Sequence, residues 1–495
     1  MNYLDLLKLA APETLVVLTA FVVLAADLIA LRGLEVRFRF LIGALISTVG
    51  CVGTIAWILV LPKEQNLLEG IFVGTAMIHL VKVALVALTV FTILISVERN
   101  FSMHAGEYFA LLLLALSGTM FLVSSEDILM IFISLELLSL SLYVLTAFNK
   151  HNKLSAEAAL KYFLFGGMSA AFTLFGLSLL YGLSGATNLG RIAAAIQGPK
   201  LDPLLVVAIV MTVIGFGFKV AAAPFHLWAP DAYQGAPIPS AALIASASKV
   251  AGFFIFAKIM TLGFAGAEGN AAWRQYAQGW APVLALVAAA SMVLGNLVAI
   301  VQSSVRRLLA YSAIAHAGYM LLAIIAHAGN SLASLLYYVI TYALTTLGAF
   351  GVVGVVQEWT GGDNLSDFAG LSRRAPLLSL CMMIFMLSLA GIPPLAGFFG
   401  KFFLFSAALN TAPRSLGLTW LVAFALGMSA VSLYYYLQVL KQIFVSPEPI
   451  PGAQVRTPVV TQVTLALLAL AVLWLGCAPG WLLQVLDRAM HQAAI

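Results

Sequence analysis

Glu136, Lys219, Lys249 and Lys401 lie inside stretches of chain that are otherwise apolar enough to span a bilayer. A charge near the bilayer centre costs about 2.5–3.5 kcal/mol on insertion scales. Four of them at unrelated points carry a penalty of roughly 10–14 kcal/mol on that scale. A fold holds such groups only where they face protein, water or each other, and intramembrane ionisable groups mark ion or proton routes. A carboxylate and three amines share one chemistry, the binding and release of a proton.

Their neighbours suit that chemistry. Ser139 and Tyr143 follow Glu136 at i+3 and i+7 and share its helix face. Lys219 precedes Pro224 by just over one turn, and Lys401 follows Pro393-Pro394. Proline removes a backbone donor and frees a carbonyl that lipid cannot satisfy, so each break must line protein or a wet cavity. A lysine beside such a break can meet freed carbonyls and water. The apolar residues after Lys401 leave the unwound backbone and water as its expected partners. Ser312, His316 and Tyr319 share a face of one span, and Tyr338, Thr341, Tyr342 and Thr345 share a face of the next. Hydroxyl stripes also join membrane helices without transport, but beside buried charges they suit the lining of a hydrated wire. Lys161, His226 and His316 are candidate relay groups, with a snorkelling anchor the other reading of Lys161. Lys258, about half a turn round the helix from Lys249, and Lys82, near the start of its span, read as charges free to snorkel.

Apolar runs of about 20 residues supply the elements that position these groups. Three spans come first: Thr14–Leu31, Phe40–Leu61 and Ile78–Val97. Five follow at Tyr108–Val123, Ile128–Phe148, Ala156–Tyr181, Pro203–Ala223 and Ser240–Leu262. Five more run Pro282–Val301, Leu308–His327, Ser331–Gln357, Pro376–Leu409 and Leu418–Leu440, and Val459–Val485 closes the chain. Asp5 and Glu13 argue against a signal peptide, so the first run reads as a retained span. The expected fold is an all-α polytopic membrane protein of about fourteen transmembrane helices. Breaks fall at the fourth place of each five-span block, which points to inverted repeats around an ion site. The expected division is 1–105, 106–262, 263–440 and 441–495, with the middle two as the repeats.

With an even number of spans both termini share a side. Loop Arg32, Arg37, Arg39, Arg99, Lys150, Lys153, Arg306, Arg307, Arg373, Arg374, Lys441 and Arg456 fall opposite Lys8, Lys63, Arg191, Lys200, Arg274, Arg414 and Arg488. The richer side is the inner one, which places both termini outside.

The composition agrees. The 495 residues are 62% hydrophobic and 9% charged, against roughly 25% charged in a soluble domain. No basic patch interleaved with aromatics supports nucleic-acid binding. Cys51, Cys381 and Cys477 are too scattered for a disulfide framework and too few for an iron–sulfur cluster, and read as small buried hydrophobes. The histidines show no metal-ligand spacing. No metal or redox cofactor is expected on this chain.

Phe218-Lys219-Val220-Ala221-Ala222-Ala223-Pro224-Phe225-His226-Leu227-Trp228-Ala229-Pro230-Asp231-Ala232-Tyr233-Gln234-Gly235-Ala236-Pro237 resembles the signature of the antiporter-like subunits of respiratory complex I. Leu389-Ala390-Gly391-Ile392-Pro393-Pro394-Leu395-Ala396-Gly397-Phe398 resembles their second broken helix. Within that family, Ala310-Tyr311-Ser312-Ala313-Ile314-Ala315-His316-Ala317-Gly318-Tyr319 and Lys401 are similar to the subunit N branch of bacterial NADH–quinone oxidoreductase. The resemblance covers nearly the whole chain. It implies a subunit of a proton-translocating enzyme, with a Glu136–Lys219 pair, a central relay at Lys249 and an exit-side Lys401. It also implies that NAD, FMN, iron–sulfur and quinone sites belong to other subunits, with no redox catalysis here. The implied partners are other membrane-arm subunits, homologous antiporter-like and small hydrophobic ones, in the inner membrane. Two rivals stay open. One is an Mrp-type cation/proton antiporter or hydrogenase-linked pump subunit; the other is a structural spacer that pumps nothing.

Overall fold

Short polar residues open many of the spans. Asp127 accepts from the Leu129 and Met130 N–H groups, Asn152 from Leu154 and Ser304 from Arg307, each satisfying donors that a first turn leaves free. Gly185 and Gly361 adopt the left-handed conformation that ends the long helices before them.

The computed structural model describes residues 8–62, 64–97, 101–196, 202–327, 329–410, 416–447 and 457–492. Of the loop charges compared above, Lys63, Arg99, Lys200, Arg414 and Arg456 lie outside the described residues. The first helices are α1 (Ala11–Ile29), α2 (Val36–Val60) and α3 (Ala76–Ser96). A two-stranded antiparallel hairpin, β1 (Glu64–Leu67) with β2 (Phe72–Thr75), stands between α2 and α3 and was not expected from the sequence. Then come α4 (Ala105–Ser124), α5 (Ile128–Thr146), α6 (Lys153–Ser184), the short α7 (Leu189–Ala195), α8 (Pro203–Lys219), α9 (Trp228–Gly235), α10 (Ile238–Ala245) and α11 (Ala247–Lys258). The second half runs α12 (Trp280–Ile300), α13 (Val305–Ala326), α14 (Ser331–Thr360), α15 (Leu371–Arg374), α16 (Pro376–Ala390), α17 (Ala396–Leu409), α18 (Thr419–Phe444), α19 (Val459–Cys477) and α20 (Pro479–Gln492).

Among the described residues, twelve helices, counting Ile238–Gly263 as one, are long and apolar enough to cross a membrane. The shorter apolar helices α8, α16 and α17 make up the two interrupted passages that the proline motifs announced. The most enclosed spans are Ile238–Gly263, α13 and α14, while α2, α6 and α18 leave apolar faces exposed as lipid or neighbouring protein requires.

Five expectations need correction. The last span ends at Cys477; Pro479 starts a separate helix with one apolar and one polar face, so Val459–Val485 is not one passage. Cys477 is exposed rather than buried. The Ser240–Leu262 span is itself interrupted at Ser246 (φ −116°, ψ −91°), although no proline or glycine marks the place. Lys82 does not snorkel. Its ammonium lies 2.7 Å from Glu13 Oε1, with both side chains at most 1% exposed, and 4.6 Å from the centre of the Phe72 ring. This pair ties α1 to α3. At the other end of α1, Asp27 pairs with Arg39 of α2 and accepts the Gly106 N–H of α4 at 3.0 Å. Lys258 likewise faces Glu126 at 3.0 Å rather than free headgroups.

Candidate functional site

Helix α8 ends on Lys219 itself, so the lysine stands at the edge of the break rather than a turn before it. The chain then turns through Ala221 (φ +58°) and Pro224 before α9. Its loose donors are taken up: Ala223 N–H donates to Ser291 Oγ at 2.8 Å, and Trp228 Nε1–H donates to Phe218 O at 3.0 Å. Lys219 Nζ donates to Ser139 Oγ at 3.0 Å. Glu136 sits one turn earlier on α5, half-buried, and no ion pair within 4 Å joins it to Lys219. Ser139 therefore takes the contact expected for Glu136.

Lys249 lies in the first turn after the Ser246 interruption. Its Nζ donates to Ala313 O of α13 at 2.7 Å and lies 5.6 Å from the centre of the Tyr342 ring. A Cβ added at Gly252, one turn on, would stand 3.5 Å from Lys219 Cγ, so the Lys219 stem runs alongside the helix that carries Lys249.

His316 is held on both sides. Its Nδ1 is 2.6 Å from Tyr338 Oη, its Nε2 is 3.0 Å from Tyr436 Oη, and Tyr436 Oη is 2.5 Å from Ser312 Oγ. A neutral imidazole donates from one nitrogen and accepts at the other, and each hydroxyl does both, so this chain can be oriented in either direction. The ring also packs 5.0 Å from Tyr342, the ring that Lys249 faces.

Lys401 sits beside the second break. Gly391 (φ +87°), a conformation that favours glycine, ends α16, and α17 resumes at Ala396. Lys401 Nζ donates to Leu389 O and Ala390 O, each at 3.0 Å, and to Ser429 Oγ at 2.8 Å. The freed carbonyls expected from Pro393-Pro394 are thus its partners. The helix can come this close because Gly400 faces Tyr338, where a Cβ would meet the ring. Tyr319 lies beneath the ammonium, 5.3 Å from Nζ to the ring centre. Asn296 donates to Tyr319 Oη and accepts from Tyr435 Oη, both at 3.1 Å.

Lys219, Lys249 and Lys401 are 6%, 2% and 5% exposed. Among the described residues none of them has a carboxylate within 4 Å; each is held by neutral oxygens. Lys161 and His226 stand apart from this row. Lys161 is 41% exposed and pairs with Glu157 at 2.6 Å and Asp231 at 2.9 Å; Asp231 also pairs with Arg307 at 2.7 Å. That cluster ties α6, α9 and α13 together. His226 is buried in the turn before α9, and its Nδ1 has no partner among the described residues.

Ser291, Asn296, Ser429, Tyr435 and Tyr436 were missed by the sequence reading. A signal existed for part of the set, since Ser429, Ser432 and Tyr436 fall at i, i+3 and i+7 on α18. Among the described residues, no three His, Cys, Asp or Glu side chains stand together as a metal site.

Residues 125–429 match the family described as "NADH:quinone oxidoreductase/Mrp antiporter, TM". The chain is 54% identical over 492 residues to "NADH-quinone oxidoreductase subunit N 2" of Acidobacterium capsulatum, covering 98% of this chain and 99% of that one. Among solved structures it is similar to a chain of "Respiratory complex I from Thermus thermophilus with bound Aureothin", at 32% identity and a TM-score of 0.76 over 96% of this chain and 98% of that one. A chain of the Mrp complex from Dietzia sp. DQ12-45-1b gives a TM-score of 0.82 at 20% identity, over 98% and 97%, and shares the fold. The chain belongs to the NADH:quinone oxidoreductase/Mrp antiporter family of membrane subunits, on its NADH-quinone oxidoreductase subunit N branch.

Proposed function

We propose that this subunit carries protons across the membrane along the row Glu136–Lys219–Lys249–His316–Lys401 while quinone is reduced elsewhere in its complex. One observation carries the reading: three buried ammonium groups are held by hydroxyl and carbonyl oxygens and, among the described residues, by no carboxylate. An ammonium so placed can pass on its proton without leaving an unpaired anion behind. Glu136 and Lys219, as opposite charges, attract each other. The Ser139 contact marks a position in which that attraction acts at a distance, and closure of the pair would draw the proton back. His316, between two tyrosine hydroxyls, offers the passage from the Lys249 side to the Lys401 side. Each charge moved works against about 2.3 kcal/mol per 100 mV of membrane potential.

Residues 106–262 and 263–440 are assigned as inverted repeats, supported by the interruption of α8–α9 in one and α16–α17 in the other. Residues 1–105 and 441–495 flank them. Both termini are assigned to the periplasmic side of the bacterial inner membrane, on the excess of loop Arg and Lys at the opposite face. The redox reaction is assigned to other subunits, and the partners to the neighbouring membrane-arm subunits. Lys161 is assigned to the ion-pair tie rather than to the relay.

Glu136→Gln tests the latch. Gln keeps the shape and loses the charge, so the assembled complex in sealed vesicles should pump fewer protons per NADH oxidised. An unchanged ratio would reduce Glu136 to a packing contact.

A further inference from the structure

The buried row leaves aside a cavity of about 400 Å³ at the start of α16 and α19. Arg373 and Arg374 line it together with Thr457, Gln462, Cys381 and Leu465. Among the described residues no carboxylate lines it. Arg374 is anchored by Nη2, which donates to Ala369 O at 2.8 Å, while its buried Nε–H has no partner among the described residues. Nη2 also reaches the Asp367 backbone O at 3.5 Å, while the Asp367 carboxylate accepts the Asn364 N–H at 2.8 Å. Two guanidinium groups, one with an unanswered N–H, form a receptor for a phosphate oxygen.

The surface beside the cavity says what carries that phosphate. Helices α16 and α19 pack against each other, and both leave apolar side chains exposed: Leu377, which also lines the cavity, and Leu380 on α16, and Val459, Val463 and Leu467 on α19. From Leu377 to Leu387 a helix rises about 15 Å, half of the ~30 Å hydrocarbon core and so the depth of one leaflet. A soluble anion would have no use for this second surface.

We infer that Arg373 and Arg374 bind the headgroup phosphate of an anionic phospholipid whose acyl chain lies against α16 and α19. Basic pockets between transmembrane helices take such headgroups.

The test uses the intact complex, stripped of lipid in detergent and returned to phosphatidylcholine bilayers containing phosphatidylglycerol with a photoreactive acyl chain. After irradiation and digestion, label is expected on the 377–387 and 459–467 segments. Each arginine should contribute roughly a fivefold preference, so Arg373→Gln/Arg374→Gln should retain about one-thirtieth of the label. Arg373→Gln alone leaves the Ala369 tie untouched and should lose about fivefold, which separates loss of the charge from misfolding. Several outcomes would overturn the inference: equal labelling by a photoreactive phosphatidylcholine, full displacement by equimolar glycerol phosphate, crosslinks to a neighbouring subunit instead of lipid, or unchanged labelling in both variants.

Discussion

The Glu13–Lys82 pair allows a quantitative test of how the first three helices are held. Both side chains are at most 1% exposed and 2.7 Å apart, and a full charge left alone there has no water to turn to. Removing one partner of a buried ion pair costs about 3–5 kcal/mol, whereas replacing both by apolar groups is often neutral. At 1.4 kcal/mol per decade, each single variant should raise the population with α1 undocked by roughly two to three and a half decades. Glu13→Leu and Lys82→Met supply the singles, and their combination closes the cycle. Cys51 reports the opening, because it is 1% exposed on the inward face of α2, against which α1 packs; exposed Cys477 serves as the internal control. Maleimide labelling of intact membranes, read by mass spectrometry, should show Cys51 reacting far faster in each single variant and nearly at the native rate in the double. Local opening of this kind is what thiol or hydrogen exchange measures. If the singles label Cys51 no faster than the native chain, the pair does not dock α1 and the reasoning fails.

Two further predictions concern the second half of the row. At Lys401 three oxygens converge on one nitrogen at 2.8–3.0 Å. The planar guanidinium of Lys401→Arg neither fits that geometry nor yields its proton, so Arg should fail as Lys401→Ala does; full pumping with Arg would make Lys401 a mere anchor. Tyr436→Phe removes the hydroxyl shared by His316 Nε2 and Ser312 Oγ. Each buried group left unsatisfied costs about 1–3 kcal/mol, and the hydrogen-bonded path is cut. The measurement is complex yield together with protons pumped per NADH, and an undiminished ratio in assembled complex would exclude Tyr436 from the path.

The parts of this fold written in local chemistry were legible in the sequence. Spans announced themselves by apolar length, and Pro224 and Pro393-Pro394 announced the two breaks because proline carries its effect in one residue. Lys249 and Lys401 could be placed in the interior because a mid-span ammonium has few alternatives. What escaped was set by packing between distant segments. Nothing near Ser246 marks an interruption, and Lys82 looked free to snorkel because its partner Glu13 lies on another helix, 69 positions earlier. Tyr436 reads as one aromatic among Tyr434, Tyr435 and Tyr436 until α18 turns it onto His316. The same limit explains Glu136. Its pairing with Lys219 followed from type and spacing, while the intervening Ser139 contact depends on how α5 meets the end of α8.

The central claim is that protons pass through Lys249, which α11 presents to Ala313 O. The most direct measurement is NADH-driven proton translocation by Lys249→Met complex in sealed vesicles, with assembly verified and electron transfer followed in parallel. Met keeps the apolar stem and loses the proton-binding group. Protons moved per NADH should fall, or turnover and pumping should stall together where the two are tightly coupled. Native turnover with a native proton-to-electron ratio would contradict it and leave the subunit a structural spacer.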